Sequence, residues 1–152
     1  MRKYLQKLGF SVTYARNYTD VDDKIIAKSK ETGVPADVYA EKMIEKINEV
    51  MQKWGVDDPD LWLKATENIQ NIISFVSTLI EKGHAYATKN GDVYFDVESF
   101  PGYGKLSNRS IDDALDGVRV DNDDEKKNAY DFALWKSAKE GEIFWESPWG
   151  KG

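Results

Sequence analysis

Two runs of apolar side chains at helical spacing, each shut by a glycine, constrain the fold of this chain more than any other feature. Tyr39, Met43, Ile44, Ile47, Val50, Met51 and Trp54 recur at three- and four-residue intervals and stop before Gly55. Pro35 suits the first helical position, where its missing N–H costs nothing. The second run, Ile69, Ile72, Ile73, Val76, Leu79 and Ile80, begins behind an N-cap expected at Thr66 and ends at Gly83. Both stripes predict helices whose apolar faces must be covered, and core packing explains them better than a cofactor site. A shorter helix is expected from Asp20 to Gly33: Asp20, Asp22 and Asp23 occupy the turn where the helix dipole favours negative charge, with Lys28 and Lys30 toward the other end.

The remaining segments read as strands and turns. Ala85 to Thr88 and Val93 to Val97 flank Asn90-Gly91, a pair that tolerates positive φ, so a β-hairpin is expected. Phe132 to Trp135 and Ile143 to Trp145 are expected as strands, and Ser110 to Leu115 as a short helix. At the start, Tyr4, Leu5 and Leu8 lie at helical spacing up to Gly9, and the period then changes to two, which predicts a strand over Ser11 to Ala15. A helix closed by glycine and followed by a strand is how a doubly wound sheet continues, here with no strand before it. Trp54, Trp62 and Trp135 are expected in the core. At 152 residues, one domain with a real core is expected, or one small domain plus a fragment of a neighbour, rather than two full domains.

Composition removes several chemistries. There is no Cys, so thiol nucleophiles, disulfides and thiolate metal ligation are excluded, and the one histidine, His84, reads as a capping or surface residue beside Gly83. The net charge is 21 − 27 = −6, which disfavours a free-standing nucleic-acid binder. Residues 1–30 hold seven Lys/Arg against three Asp, a net of +4, leaving −10 for residues 31–152, so only local patches could approach RNA. The acidic stretch from Asp112 through Glu125 reads as a solvated loop. A calcium loop starting at Asp20 would end correctly on Glu31, but Lys24 and Ile25 stand where an acidic ligand and an obligatory glycine belong. No run of about 18 apolar residues exists to span a membrane, and no signal peptide opens the chain, so a cytoplasmic protein is expected.

One segment is far more specific than these patterns. Arg16-Asn17-Tyr18-Thr19-Asp20-Val21-Asp22-Asp23-Lys24-Ile25 closely resembles the R-N-I-T-D-(V/I)-D-D-K-I signature of the cysteinyl-tRNA synthetases. Four further matches follow in that family's order: Gly91 to Val97, Tyr103 to Ser107, Asp131 to Lys136 and Trp145 to Gly150. The chain departs from the family at Tyr18, where Ile is usual, at Ala129, where Pro is usual, and at Trp62-Leu63-Lys64, in place of Glu-Pro-Arg.

The resemblance implies a class I aminoacyl-tRNA synthetase that uses ATP to activate cysteine and transfers it to the 3′ end of its tRNA. It further implies an α/β or α+β, helix-rich chain: a partial doubly wound nucleotide-binding half plus an inserted helical domain with a β-hairpin. The implied division is 1–19 for the end of the first catalytic half, 20–143 for the insertion called the connective polypeptide, and 144–152 for the return to the second half. The family's H-I-G-H motif would precede residue 1, and its K-M-S-K-S loop, G-W-H-I-E-C segment and anticodon-binding domain would follow Gly152. ATP with Mg, and the zinc that binds the substrate thiol through Cys, His and Glu, therefore belong to the parent enzyme, and no cofactor, metal ligand or catalytic residue is expected in this segment. Thr19, Asn17 and Asp20 are the expected substrate-binding residues; Arg16 is a neighbour of unresolved role. Thr19 and Asp20 would equally serve as N-caps of the following helix. The expected partners are the remainder of the synthetase and the tRNA acceptor end, with no membrane and with self-association through an exposed strand 11–15. The segment alone is expected to be inactive. Two alternatives stand beside this reading: a related ligase of the same fold that joins cysteine to an amino sugar, and a stand-alone RNA- or protein-binding module.

Overall fold

The computed structural model describes residues 1–107 and 125–152. The expected helix over Ser110 to Leu115 and the acidic stretch up to Asp124 lie outside these residues. The chain is a mixed helix-and-sheet molecule made of two compact units, Met1–Ile69 and Gln70–Gly152.

The first unit is a parallel strand pair with a helical crossover. Helix α1 (Arg2–Lys7) buries none of its residues and is tied down by polar contacts. Arg2 forms a two-pronged ion pair with Asp60 at 2.7 and 2.9 Å, and Lys3 pairs with Asp57 at 3.1 Å. Strand β1 is Ala15–Tyr18, later than the expected Ser11 to Ala15. What fixes its place is a partner that the periodicity did not announce, the parallel strand β2 (Leu61–Lys64), in register Ala15↔Leu61 to Tyr18↔Lys64.

Between the strands run α2 (Asp23–Thr32) and α3 (Ala36–Lys53), packed on each other. Helix α2 starts at Asp23 because Asp22, in extended geometry, accepts a hydrogen bond from the Ile25 N–H at 2.8 Å; neither Thr19 nor Asp20 caps it. Pro35 stands one position before α3 instead of inside it. The apolar stripe of α3 is only partly covered: Ala40 and Ile44 are buried, whereas Ile47, Val50 and Met51 are exposed and Trp54 is 82% exposed. Trp54 is therefore no core residue, and Trp62, 40% exposed, is not fully one either.

The second unit holds α4 (Ile69–Glu81), which begins one residue before the unit's boundary, and an antiparallel sheet in the order β3 (Ala85–Ala87), β4 (Val93–Phe95), β5 (Phe132–Trp135). A short 3-10 turn, Thr66–Asn68, leads into α4; Ala65 takes the N-cap position in place of the expected Thr66, without a side-chain cap. The hairpin and the Phe132–Trp135 strand stand where the sequence predicts them, and Ile73, Val76, Val93, Tyr94, Val97 and Trp135 are buried. The last expected strand is shifted: β6 is Glu146–Ser147, pairing with β7 (Gly150–Lys151). This tail is well anchored. Ala138 donates its N–H to the Lys151 carbonyl at 3.0 Å, and Trp149 meets Trp135 edge-on at 5.9 Å. Gly91, at φ +87, brings the hairpin turn so close to the Trp149 carbonyl oxygen that a Cβ would lie 2.8 Å from it.

Candidate functional site

In open parallel sheets, ligands sit beyond the carboxyl ends of the strands. In the first unit that edge is made by the end of β1, Asn17 to Asp20, and the end of β2, Lys64 to Thr66. The two faces of the strand pair differ. Arg16, Tyr18, Trp62 and Lys64 share the face toward α3: the Tyr18 hydroxyl donates to Asn48 Oδ1 at 2.5 Å and the Lys64 ammonium pairs with Glu41. Ala15, Asn17, Leu61 and Leu63 share the other face, and all four are exposed.

The three expected substrate-binding residues therefore separate. Asn17 and Thr19 are exposed at the strand end. Asp20 is 7% exposed and turned inward. Its carboxylate accepts the Thr66 N–H at 3.1 Å and the Thr66 hydroxyl at 2.5 Å, so it stitches the end of β1 to the end of β2. A buried carboxylate needs such donors, because leaving one unsatisfied costs about 1–3 kcal/mol. Asp20 thus braces the two strand ends from the inside. In the same way the Thr66 hydroxyl, expected to cap the next helix, is spent on Asp20.

Arg16 is held by aromatic rings. Its Nε donates to the Tyr14 hydroxyl at 3.0 Å, and its guanidinium lies 5.4 Å from the Tyr14 ring centre and 5.5 Å from that of Trp62. The Tyr14 hydrogen bond, working against some burial, raises the Arg16 pKa further and leaves it permanently charged. Tyr18 lies parallel to Trp62 with ring centres 5.4 Å apart and planes 8° from parallel. Tyr18 and Trp62, two of the departures from the family pattern, are thus in direct contact. On the same face, hydrogen bonding to Glu41, opposed by some burial, raises the Lys64 pKa and keeps it cationic. Trp62, Lys64 and Thr66 were not among the sequence-predicted site residues. The alternation of Tyr14, Arg16 and Tyr18 marks one face of β1, but nothing local marks the strand 46 residues later that completes it.

The opposite, amino end of the pair holds a cavity of about 500 Å³ between α1, Val12 to Tyr14 and Gly55 to Asp57. In the second unit the polar centre is Asp92, 6% exposed, which accepts from Lys136 Nζ at 2.5 Å, the Ser137 N–H at 2.7 Å and the Ser137 hydroxyl at 2.9 Å. Asp131, 1% exposed, accepts from the Tyr86 hydroxyl at 2.7 Å and the Val97 N–H at 3.1 Å. Burial and that bond to Asp131 push the Tyr86 hydroxyl above its usual pKa, so it stays a donor. His84, half-buried, meets the Ser99 hydroxyl at 2.9 Å through Nδ1. These groups tie strands and turns together.

A zinc site needs several convergent Cys, His or carboxylate ligands. The chain has no Cys, and among the described residues no three His, Asp or Glu side chains converge, so the described residues do not fit the zinc that the resemblance implies for the parent enzyme. Also among the described residues, no helix is long and apolar enough to cross a membrane.

Comparison with known proteins agrees with the motifs. The family described as tRNA synthetases class I (C) catalytic domain matches residues 1–152. The chain is 52% identical over 150 residues to the cysteine–tRNA ligase of Trichlorobacter lovleyi, covering 99% of this chain and 31% of that protein. It is 52% identical, with the same shares, to the cysteine–tRNA ligase of Nitratidesulfovibrio vulgaris. Against that of Sulfurihydrogenibium sp. it is 47% identical over 152 residues, 100% of this chain and 31% of that protein. The chain thus spans about a third of the length of the curated relatives it matches. With an ordered series of motifs, a parallel strand pair presenting the signature at its carboxyl end, and a family match along its whole length, the chain belongs to the class I (C) tRNA synthetase family, that of the cysteine–tRNA ligases.

Proposed function

We propose that this segment works inside a longer cytoplasmic cysteine–tRNA ligase, where the end of β1 lines part of the amino-acid site and the region after it flanks the tRNA acceptor end. The observation that carries the reading is the pairing of a specific signature with its location: Asn17 and Thr19 are exposed at the carboxyl end of a parallel strand, where this class of sheet binds its ligands. The parent would bind ATP with Mg and a zinc ion through residues elsewhere, and tRNA and the rest of the enzyme would be the partners. Within the segment we assign 1–19 to the first catalytic half, 20–143 to the connective insertion and 144–152 to the return. No group here handles a nucleotide phosphate or a substrate thiol, so the 152-residue chain alone is inactive and its contribution is positional.

Two measurements test this. The purified chain should show no cysteine-dependent exchange of pyrophosphate into ATP, and turnover above background would refute its inactivity. In the full-length ligase that carries the segment, Thr19→Ala should raise the KM for cysteine roughly tenfold, about 1.4 kcal/mol of binding, with a smaller effect on kcat. An unchanged KM would remove Thr19 from the amino-acid site.

A further inference from the structure

Cationic and aromatic side chains alternate along the α3-facing side of the strand pair. Arg2 lies 5.8 Å from the Tyr14 ring centre, Arg16 follows between Tyr14 and Trp62, and Tyr18 stacks on Trp62. The ends of this stack are fixed independently, Arg2 by its ion pair with Asp60 and Tyr18 by its hydrogen bond to Asn48. Arg16 in the middle differs: its Nε donates to the Tyr14 hydroxyl at 3.0 Å and its guanidinium lies over the Tyr14 and Trp62 rings. Its orientation therefore depends on the rings. A planar guanidinium anchored at Nε and stacked against aromatic faces keeps little rotational freedom.

Successive side chains of a strand point to opposite faces, so fixing Arg16 and Tyr18 on one face fixes the pleat that aims Asn17 on the other and sets how the chain leaves the strand at Thr19. Trp62 contacts both Arg16 and Tyr18, and it does so from the neighbouring strand. We propose that Trp62 is a positioning residue for the end of β1, acting through Arg16 and Tyr18 to hold Asn17 and Thr19 in their presented geometry. The proposal rests on the reading of that strand end as part of the amino-acid site. Asp20, bonded to Thr66, fixes the following residue from the other side, so the exposed pair is braced at both ends.

The test is nuclear magnetic resonance on the 152-residue chain. The Arg16 Nε–H should resonate away from the free-arginine position, because ring currents of Tyr14 and Trp62 act on it. Trp62→Leu should return that signal to the free-arginine position and lower the backbone heteronuclear NOE of Asn17 and Thr19 while leaving that of Ile44 unchanged. Trp62→Phe, which keeps a ring face, should restore both. An Arg16 signal and a Thr19 NOE that ignore Trp62→Leu would overturn the proposal, as would an equal loss at Thr19 and Ile44, which is general loss of stability. Should Trp62→Leu fail to fold, Tyr14→Phe removes only the Nε anchor. A lowered Thr19 NOE in that variant supports the proposal, and an unchanged one overturns it. A null result for Thr19→Ala on the cysteine KM would sink the pocket reading while leaving these signals as they are, so the two failures are distinct.

Discussion

Asp92 keeps a negative charge where water scarcely reaches. Burial alone would push its carboxyl pKa up, but Lys136 and the two Ser137 donors outweigh that and hold it below the usual carboxylate range. A carboxylate with a lowered folded-state pKa stabilises the fold above its unfolded pKa of about 4, and that contribution is lost as pH falls through the folded value. Asp92→Asn should therefore cost about 1–3 kcal/mol at neutral pH and flatten the acid limb of the stability profile. Urea unfolding of both proteins from pH 7 to pH 2 checks this; parallel profiles would count against it. At this scale the sequence was an uneven guide. It marked Asn17, Thr19 and Asp20 through the signature, but not that Asp20 faces inward, because its partner Thr66 is distant in the chain and carries no motif. Asp92 lay inside a recognised motif, yet nothing in the letters told its charge to pair with Lys136.

Among the elements, those defined by local chemistry were legible and those defined by distant pairing were not. Helices α3 and α4 follow from a 3.6-residue period closed by Gly55 and Gly83, and the hairpin follows from Asn90-Gly91. Strand β2 was missed because Leu61-Trp62-Leu63-Lys64 has no alternation of apolar and polar side chains, and β1 was set early because its start is decided by β2. Two substitutions test the turns. Gly91→Ala should cost at least 1–2 kcal/mol, since it adds left-handed backbone strain to a collision with the Trp149 carbonyl oxygen. Its mark should be faster hydrogen exchange over 145–152, beyond any change in α4. Ala129, the remaining departure from the family, occupies the second position of the turn in which the Asp131 N–H reaches the Asn128 carbonyl at 3.1 Å. Proline is favoured there, so Ala129→Pro should stabilise by about 0.4–1 kcal/mol, read as a raised urea midpoint with an unchanged slope.

For the whole molecule, the informative surface is the open face of the strand pair. Parallel sheets are ordinarily covered on both sides, yet Leu61 and Leu63 are 51% and 44% exposed. The isolated chain should self-associate through this face, not through an unpaired strand at 11–15, which is not a strand before Ala15. Sedimentation should show mass rising with concentration in the micromolar range, and Leu61→Lys/Leu63→Lys should abolish the rise. A monomer at every concentration would argue that this face needs no cover. Family membership was legible from five motifs; the division into two compact units at Ile69 was not, since no linker composition marks it.

The register of β1 on β2 also sets a timetable for folding. Its paired residues are 46 positions apart, and closing a loop of that length costs roughly 3 kcal/mol of chain entropy before any pairing is gained. A ribosome adds about 5–20 residues per second, so the signature strand spends some 2–9 seconds outside without its partner. Throughout that interval Tyr14, Arg16 and Tyr18 lack Trp62 and the 61–64 ladder that orders them. The segment that carries the most specific motif in the chain is thus also a nascent-chain hazard, a sticky aromatic strand for which chaperone shielding matters most.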